Sequence, residues 1–405
     1  MNPPFPDALK FHLQPSDPRL AEYLKEYPAQ VFSERLYQSM ELLERYSIDL
    51  AVDLASRLNV IDHLAQWQST DDLCALLSFQ PSFKVALRWI LERLIQIDGV
   101  EARGDGATRL YRLRNRLPNP DLENLRAVGL QIDPGNRATL DLLDHAATIY
   151  PAVATGEQNG DRNLFGPQGV PLWLSYFHND NSTYAVNNWI GAALASERVP
   201  NDRPFRILEI GAGPGSASEI LLRLFHERGL LPRVERYLIT EPNPYFLRCA
   251  QRKLAGQYPD LALEWGAINL DLPWSTQGIK PGEFDLIYAV NVMHISKDLL
   301  FSLNEARSAL AAGGYLVIGE CLRPYVNQPM YPELMFQILE SFTNVQTDPD
   351  FRPNPGFLTA EHWRRAFMRA GFLHAEVAPD IERIRDIYPH FFTGAICGQN
   401  GVTGK

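Results

Sequence analysis

Arg206-Ile207-Leu208-Glu209-Ile210 runs straight into Gly211-Ala212-Gly213-Pro214-Gly215, and a helical pattern follows from Ser218 to Leu224. A strand that turns sharply into a helix through glycines constrains this chain more than any other feature. Glycine adopts positive φ and lets a ligand come close to the backbone, so such a turn belongs at the carboxyl edge of a sheet that binds a nucleotide-like group. Short apolar runs then alternate with helical stretches at 237–240, 261–265, 284–290, 315–319, 375–377 and 391–396. That alternation predicts an α/β domain with a largely parallel sheet. Only a short polar stretch separates the last two runs, which suits an antiparallel strand at the end of the sheet.

Spacing selects the ligand. Dinucleotide folds use G-x-G-x-x-G and seat pyrophosphate on the helix N-terminus. Here the third glycine of that pattern would fall on Ser216, and the chain has G-x-G-x-G instead. Glu209 stands two positions ahead of Gly211. S-adenosylmethionine carries no phosphate but does carry a sulfonium and an ammonium, which acidic groups and carbonyls near the turn would suit. Glu209, Gly211, Gly213 and Gly215 are therefore expected to bind that cofactor. Glu241 ends the second strand, where an acid accepts hydrogen bonds from both ribose hydroxyls; the alternative is a helix-start acid before Pro242. Asn269 and Asp271 follow the third strand, where side chains reach an adenine; a simple turn is the other reading.

The rest of the chain sets limits. Its 405 residues suit two or three domains, and a net charge of −10 argues against a nucleic-acid partner. No apolar run is long enough to span a membrane. The start, Met1-Asn2-Pro3-Pro4-Phe5-Pro6, lacks signal-peptide texture. The four cysteines, Cys74, Cys249, Cys321 and Cys397, show no metal-ligand spacing, so no metal is expected and a cytoplasmic setting is. Residues 1–120 read as a mostly helical, winged-helix-like domain: apolar faces around Leu42–Ile61 and Val85–Leu94, a helix start at Thr70-Asp71-Asp72, and two short runs around Gly104-Asp105-Gly106 that suggest a hairpin. Winged helices often bind DNA, but the acidic balance favours a packing or dimerisation module. Residues 121–200 read as a helical connector and candidate lid, with an exposed loop over 155–169, and 201–400 as the cofactor domain.

The segment Phe284-Asp285-Leu286-Ile287-Tyr288-Ala289-Val290-Asn291-Val292-Met293-His294, with Gly313-Gly314-Tyr315-Leu316-Val317-Ile318-Gly319-Glu320, resembles the fourth and fifth strands of polyketide synthase C-methyltransferase domains. Leu164-Phe165 and the 173–195 stretch resemble what precedes their cofactor turn, so the likeness covers roughly 160–325. The N-terminal pattern resembles the dimerisation domain of small-molecule O-methyltransferases. Together these imply a class I S-adenosylmethionine-dependent methyltransferase with a Rossmann-like seven-stranded sheet, working as a homodimer on a small-molecule or carrier-bound acyl or aromatic substrate. Carbon is favoured slightly over oxygen as the methyl acceptor. The resemblance also places a general base at His294, oriented by Glu320. A histidine near neutrality at a strand's carboxyl end suits that work independently; the other readings are a buried, satisfied histidine and a helix-capping glutamate. Asn291 joins the cofactor set, and Tyr176, His178 and Tyr184 are candidate pocket residues. Two rival readings are a nicotinamide-dependent oxidoreductase, which lacks its third glycine here, and a non-catalytic regulator with a methyltransferase fold.

Overall fold

The computed structural model describes residues 17–28 and 31–401. The first six residues, read as lacking signal-peptide texture, lie outside that range. The chain forms two compact units. Among the described residues, one contains 34–176 and 327–343; the other contains 17–28, 31–33, 177–326 and 344–401. The division at Tyr176/Phe177 thus falls inside the stretch read as a connector.

The first unit is helical. Its central helix, Glu34–Arg57, buries Leu36, Met40, Leu43, Ile48, Ala51 and Leu54 among others, as the helical spacing predicts. It packs against Lys84–Gln96, Leu122–Ile132 and Asn136–Thr155. Ser69 caps the Thr70–Leu76 helix with a reciprocal Asp72 bond, which explains the start read there. Strands β1 (Val100–Arg103) and β2 (Leu110–Leu113) pair antiparallel across the Gly104–Gly106 turn. The segment read as an exposed loop over 155–169 contains a short helix, Gly160–Leu164, capped by Asn159. A polar run read from composition alone hides such a cap.

Residues 327–343 return to this unit through buried polar bonds. Glu44 accepts from Arg93 at 2.6 Å and from the Tyr331 N–H at 3.0 Å, and Trp89 donates to Glu333 at 3.1 Å. The Arg93 and Glu44 side chains are 1% and 4% exposed. A buried ion pair adds little net stability, yet losing one partner strands the other charge. Glu44→Ala should therefore lower the unfolding free energy of this unit by about 3–5 kcal/mol. Urea denaturation followed by tryptophan fluorescence measures it, and a loss below about 1 kcal/mol would contradict the prediction.

The second unit holds a seven-stranded sheet. Its strands are β3 (Phe205–Ile210), β4 (Val234–Thr240), β5 (Leu263–Gly266), β6 (Phe284–Val290), β7 (Leu310–Cys321), β8 (Leu373–Ala378) and β9 (Thr393–Gln399), in the order β5-β4-β3-β6-β7-β9-β8. β3 to β7 are parallel, and β9 runs antiparallel between β7 and β8. The crossover helices permit parallel pairing of β3 to β7, and the β8–β9 link, with one short helix Ile381–Arg385, returns the chain antiparallel. β6 is buried at every position, as a central strand covered on both faces must be. Helix Ser182–Glu197 packs on β6, β7 and β9 and beside Ser216–Glu227, while Ala360–Arg369 packs on β8 and β9. The strand order reverses between β3 and β6, so a crevice opens at their carboxyl ends.

Candidate active site

The glycine turn leaves β3 at that crevice. Gly211, Gly213 and Gly215 all have positive φ (63°, 55° and 85°). A Cβ on Gly211 would lie 2.5 Å from Val292 Cγ2, whereas one on Gly213 would meet nothing within 4 Å. The first glycine is thus demanded by packing, and the second leaves room above the turn. The helix Ser216–Glu227 begins at once. Ser216 donates its hydroxyl to the Phe177 carbonyl, and Asn179 donates to the Ser216 carbonyl at 3.0 Å.

Two carboxylates brace the turn differently. Glu241, at the end of β4, accepts from the Gly213 N–H at 2.9 Å through Oε2 and from the Asn243 N–H at 2.8 Å through Oε1. Each oxygen retains a lone pair for a further donor. Burial raises its carboxyl, and the two N–H bonds oppose that rise. Glu209 is turned beneath the turn, where Oε2 accepts from Ser218 at 2.7 Å and from Tyr237 at 2.5 Å. Burial pushes its carboxyl up from 4.5 to about 7, despite the two hydroxyls.

That shift gives a signed prediction. An unfolded chain releases the Glu209 proton near pH 4.5, the folded chain near pH 7. The stability contributed by the protonated form is complete below the lower value and lost as pH rises through the upper one. Glu209→Gln removes the titration. Its stability relative to the parent should therefore rise by up to about 3 kcal/mol between pH 4.5 and 7, from 1.36 kcal/mol per unit. Parallel pH dependences for parent and variant in denaturant titrations would contradict the assignment.

The second half of the site comes from β6 and β7. β6 ends at Val290, and Asn291 follows with φ +55°, a left-handed conformation that asparagine tolerates. Its N–H donates to Gly319 at 2.8 Å, and its Oδ1 accepts from Asn187 at 2.8 Å. A 3₁₀ turn, Met293–Ile295, then carries His294. His294 Nδ1 lies 2.7 Å from Glu320 Oε2, and the His294 N–H lies 3.3 Å from Oε1. Both side chains are buried, at 3% and 0% exposure. The Phe357 ring stands 4.6 Å from the imidazole.

The structure therefore brings Gly211, Gly213, Gly215, Glu241, Asn291, His294 and Glu320 to one edge of one sheet. Tyr184 joins them from helix Ser182–Glu197; it is buried, and its ring lies 5.4 Å from Phe177. The remaining candidates stand elsewhere. Asn269 and Asp271 are exposed. Asn269 Oδ1 accepts from the Asp271 N–H at 2.9 Å, and Asp271 Oδ1 accepts from the Lys297 N–H at 2.8 Å. This is the turn left open as the second reading. His178 is 55% exposed and faces Asp180 at 3.2 Å. Tyr176 belongs to the other unit, edge-on to Trp173 at 5.7 Å. Asn187, Phe357 and Arg352 were not singled out from sequence. Asn187 did carry a signal, a polar residue inside the apolar run Ala185–Ile190. Arg352 sits in the turn-rich stretch Asp348-Pro349-Asp350-Phe351-Arg352-Pro353 and carried none.

Among the described residues, no cluster of His, Cys, Asp or Glu forms a metal site, and no helix is long and apolar enough to cross a membrane.

Residues 208–316 match a family model described as a methyltransferase domain. Polyketide synthase PksR of Bacillus subtilis (strain 168) is 27% identical over 246 residues, which are 59% of this chain and 9% of that protein. The chain spans a tenth or less of the length of the curated relatives it matches. The solved CurJ carbon methyltransferase superposes with a TM-score of 0.75 at 23% identity, covering 95% of this chain and 97% of that one. The trans-methyltransferase CalH, solved in complex with SAH, gives 0.58 at 19% identity, covering 90% of each chain. Sheet order, glycine turn and domain match define the class: residues 208–316 carry a methyltransferase domain, and the chain has the class I methyltransferase fold. Its fold follows that of the CurJ carbon methyltransferase over nearly the whole length.

Proposed function

We propose that the chain methylates the acidic α-carbon of a β-ketoacyl group presented on a carrier protein, with His294 as general base. The observation that carries this reading is the buried His294–Glu320 pair at the carboxyl ends of β6 and β7. The polyketide synthase relatives and the carbon methyltransferase fold support carbon as acceptor.

The residues present fit the cofactor. Gly213 leaves space above the turn, and Glu241 offers two acceptor oxygens at the strand end. Gly211, Gly213, Gly215 and Glu241 would hold S-adenosylmethionine, with Glu241 on the ribose. Glu209 supports the turn from below, and Asn291 closes the methyl-donor side. Asn269 and Asp271 mark the adenine end through their turn. CalH, solved in complex with SAH, shares this fold and supports S-adenosylmethionine as the cofactor. When bound, the cofactor supplies an electrophilic methyl group on a sulfonium leaving group.

The chain's own residues do the rest. With the Nδ1 proton donated to Glu320, Nε2 carries the imidazole lone pair. Nε2 takes the α-proton of the acceptor, and the carbon left as an enolate is the nucleophile. The Glu320 carboxylate stabilises the imidazolium that forms. The dry surroundings strengthen that charge pairing. Tyr184 lines the acceptor side; Tyr176 and His178 receive no role. The helical unit 34–176 is read as the dimerisation domain of a cytoplasmic homodimer, and a monomer by light scattering at micromolar concentration would contradict that.

The test uses the purified chain, S-adenosylmethionine and a β-ketoacyl thioester on a carrier protein. The expected product gains one CH₂ by mass, on carbon by NMR. An O-methyl product overturns the acceptor assignment. Thermal stabilisation by NAD with none by S-adenosylhomocysteine overturns the cofactor assignment as well.

A further inference from the structure

The base-bearing turn is held by a cation that the mechanism above does not use. Arg352 is fully buried. Its NH2 donates to the His294 carbonyl and its NH1 to the Ser296 carbonyl at 2.6 Å. The same segment adds a third tie, Gln346 N–H to the Lys297 carbonyl at 2.8 Å. Arg352 itself is fixed by a tight backbone pair, with its N–H and carbonyl both bonded to Asp348. A guanidinium is a rigid fork, so two carbonyls two residues apart are locked in relative position. Those carbonyls flank Ile295 and thereby set the orientation of the His294 ring.

The charge matters too. Burial lowers the Arg352 guanidinium to about 10, so it stays cationic at neutral pH. The anion acting on it most strongly is Glu320 from β7, followed by Asp271 and Asp298. Asp271 already holds the Lys297 N–H, and Asp298 caps the helix Leu299–Ala309. Lys297, on the same turn, is exposed.

We infer that Arg352 is the positioning residue for the His294–Glu320 pair, clamping the base-bearing turn through two carbonyls and supplying the fixed positive charge that balances Glu320. The inference rests on the proposed role of His294 as base. A fixed cation beside the pair opposes a second positive charge there, so removing it favours the imidazolium.

The test compares R352Q, which keeps a donor but no charge, with R352K, which keeps the charge. Methyl-transfer kinetics are combined with the His294 imidazole pKa from NMR of labelled protein, assigned by its absence in H294A. R352Q should lower kcat by about 10- to 100-fold while KM and S-adenosylhomocysteine affinity change by less than about threefold. Its imidazole pKa should rise by about one unit. R352K should recover part of the kcat, remaining about three- to tenfold below the parent, and keep the pKa within a few tenths of the parent. Should R352Q fail to fold, R352K carries the test alone: kcat reduced about three- to tenfold at unchanged KM supports the inference, and parent-like kcat overturns it. Loss of thermal stability in both variants, with kcat of the folded protein and imidazole pKa unmoved, also overturns it. H294A separates the two readings. An active H294A removes the base assignment and this inference with it; an inactive H294A beside a parent-like R352Q removes only this inference.

Discussion

His294→Ala lowers the methyl-transfer rate by about 10²- to 10⁴-fold, the range of a positioned general base, while affinity for S-adenosylhomocysteine stays within about threefold. The separation of the two effects is what the geometry demands. His294 leans on Glu320, 2.7 Å away, while the glycine turn is braced by Glu241 and Glu209. The imidazole leans on β7 and the turn on β4, so removing the ring leaves the braces of the cofactor platform in place. Single-turnover methylation gives the rate and calorimetry gives the affinity. Collapse of cofactor binding in H294A would make the residue structural. Glu320→Gln should fall in the same direction but less far, because an amide still bonds Nδ1 while losing the charge that stabilises the imidazolium. A glutamine variant as active as the parent would remove the electrostatic part of the argument.

Glu241→Ala gives the opposite pattern. Affinity for S-adenosylmethionine should weaken by about 10- to 100-fold, from the loss of about 1.5–3 kcal/mol of hydrogen bonding to a charged acceptor. At saturating cofactor, kcat should stay within about threefold of the parent, because the carboxylate binds the ground and transition states alike. The carboxylate also holds the Gly213 and Asn243 N–H groups, so the substitution frees two backbone donors at the turn. Calorimetry on the variant, with thermal unfolding of the unliganded protein as control, separates loss of a ribose contact from loss of the turn. Unchanged affinity would leave Glu241 as the helix-start acid that the sequence allowed, since the Asn243 bond alone fits that role.

Much of this site was legible because it is local. Gly211, Gly213 and Gly215 state their backbone conformation in their identity: positive φ at three positions within five residues admits almost nothing else. The spacing that denies a glycine at Ser216 is equally local. Glu241 and Glu320 were legible at one remove, since a parallel sheet brings the carboxyl ends of its strands to one edge whatever the loops do. His294 was legible through its place just past β6.

Reading left alternatives open where identity underdetermines geometry. Asn269 and Asp271 satisfy both a ligand and an Asx turn on paper, and the fold gives their oxygens to the Asp271 and Lys297 N–H groups. His178 looks like a pocket residue in an aromatic neighbourhood, yet it is more than half exposed. Asn187 and Asn291 meet across 104 positions of sequence, and no spacing rule connects them.

By itself the sequence determined the sheet and the turn and pointed to a cofactor class, because periodicity, glycine φ and strand-end acids are short-range properties of the chain. Only the tertiary structure decided which polar groups share a buried space. Glu320 grips the imidazole, and Arg352, 58 residues beyond His294, holds its turn through two carbonyls, because a buried charge needs partners away from water.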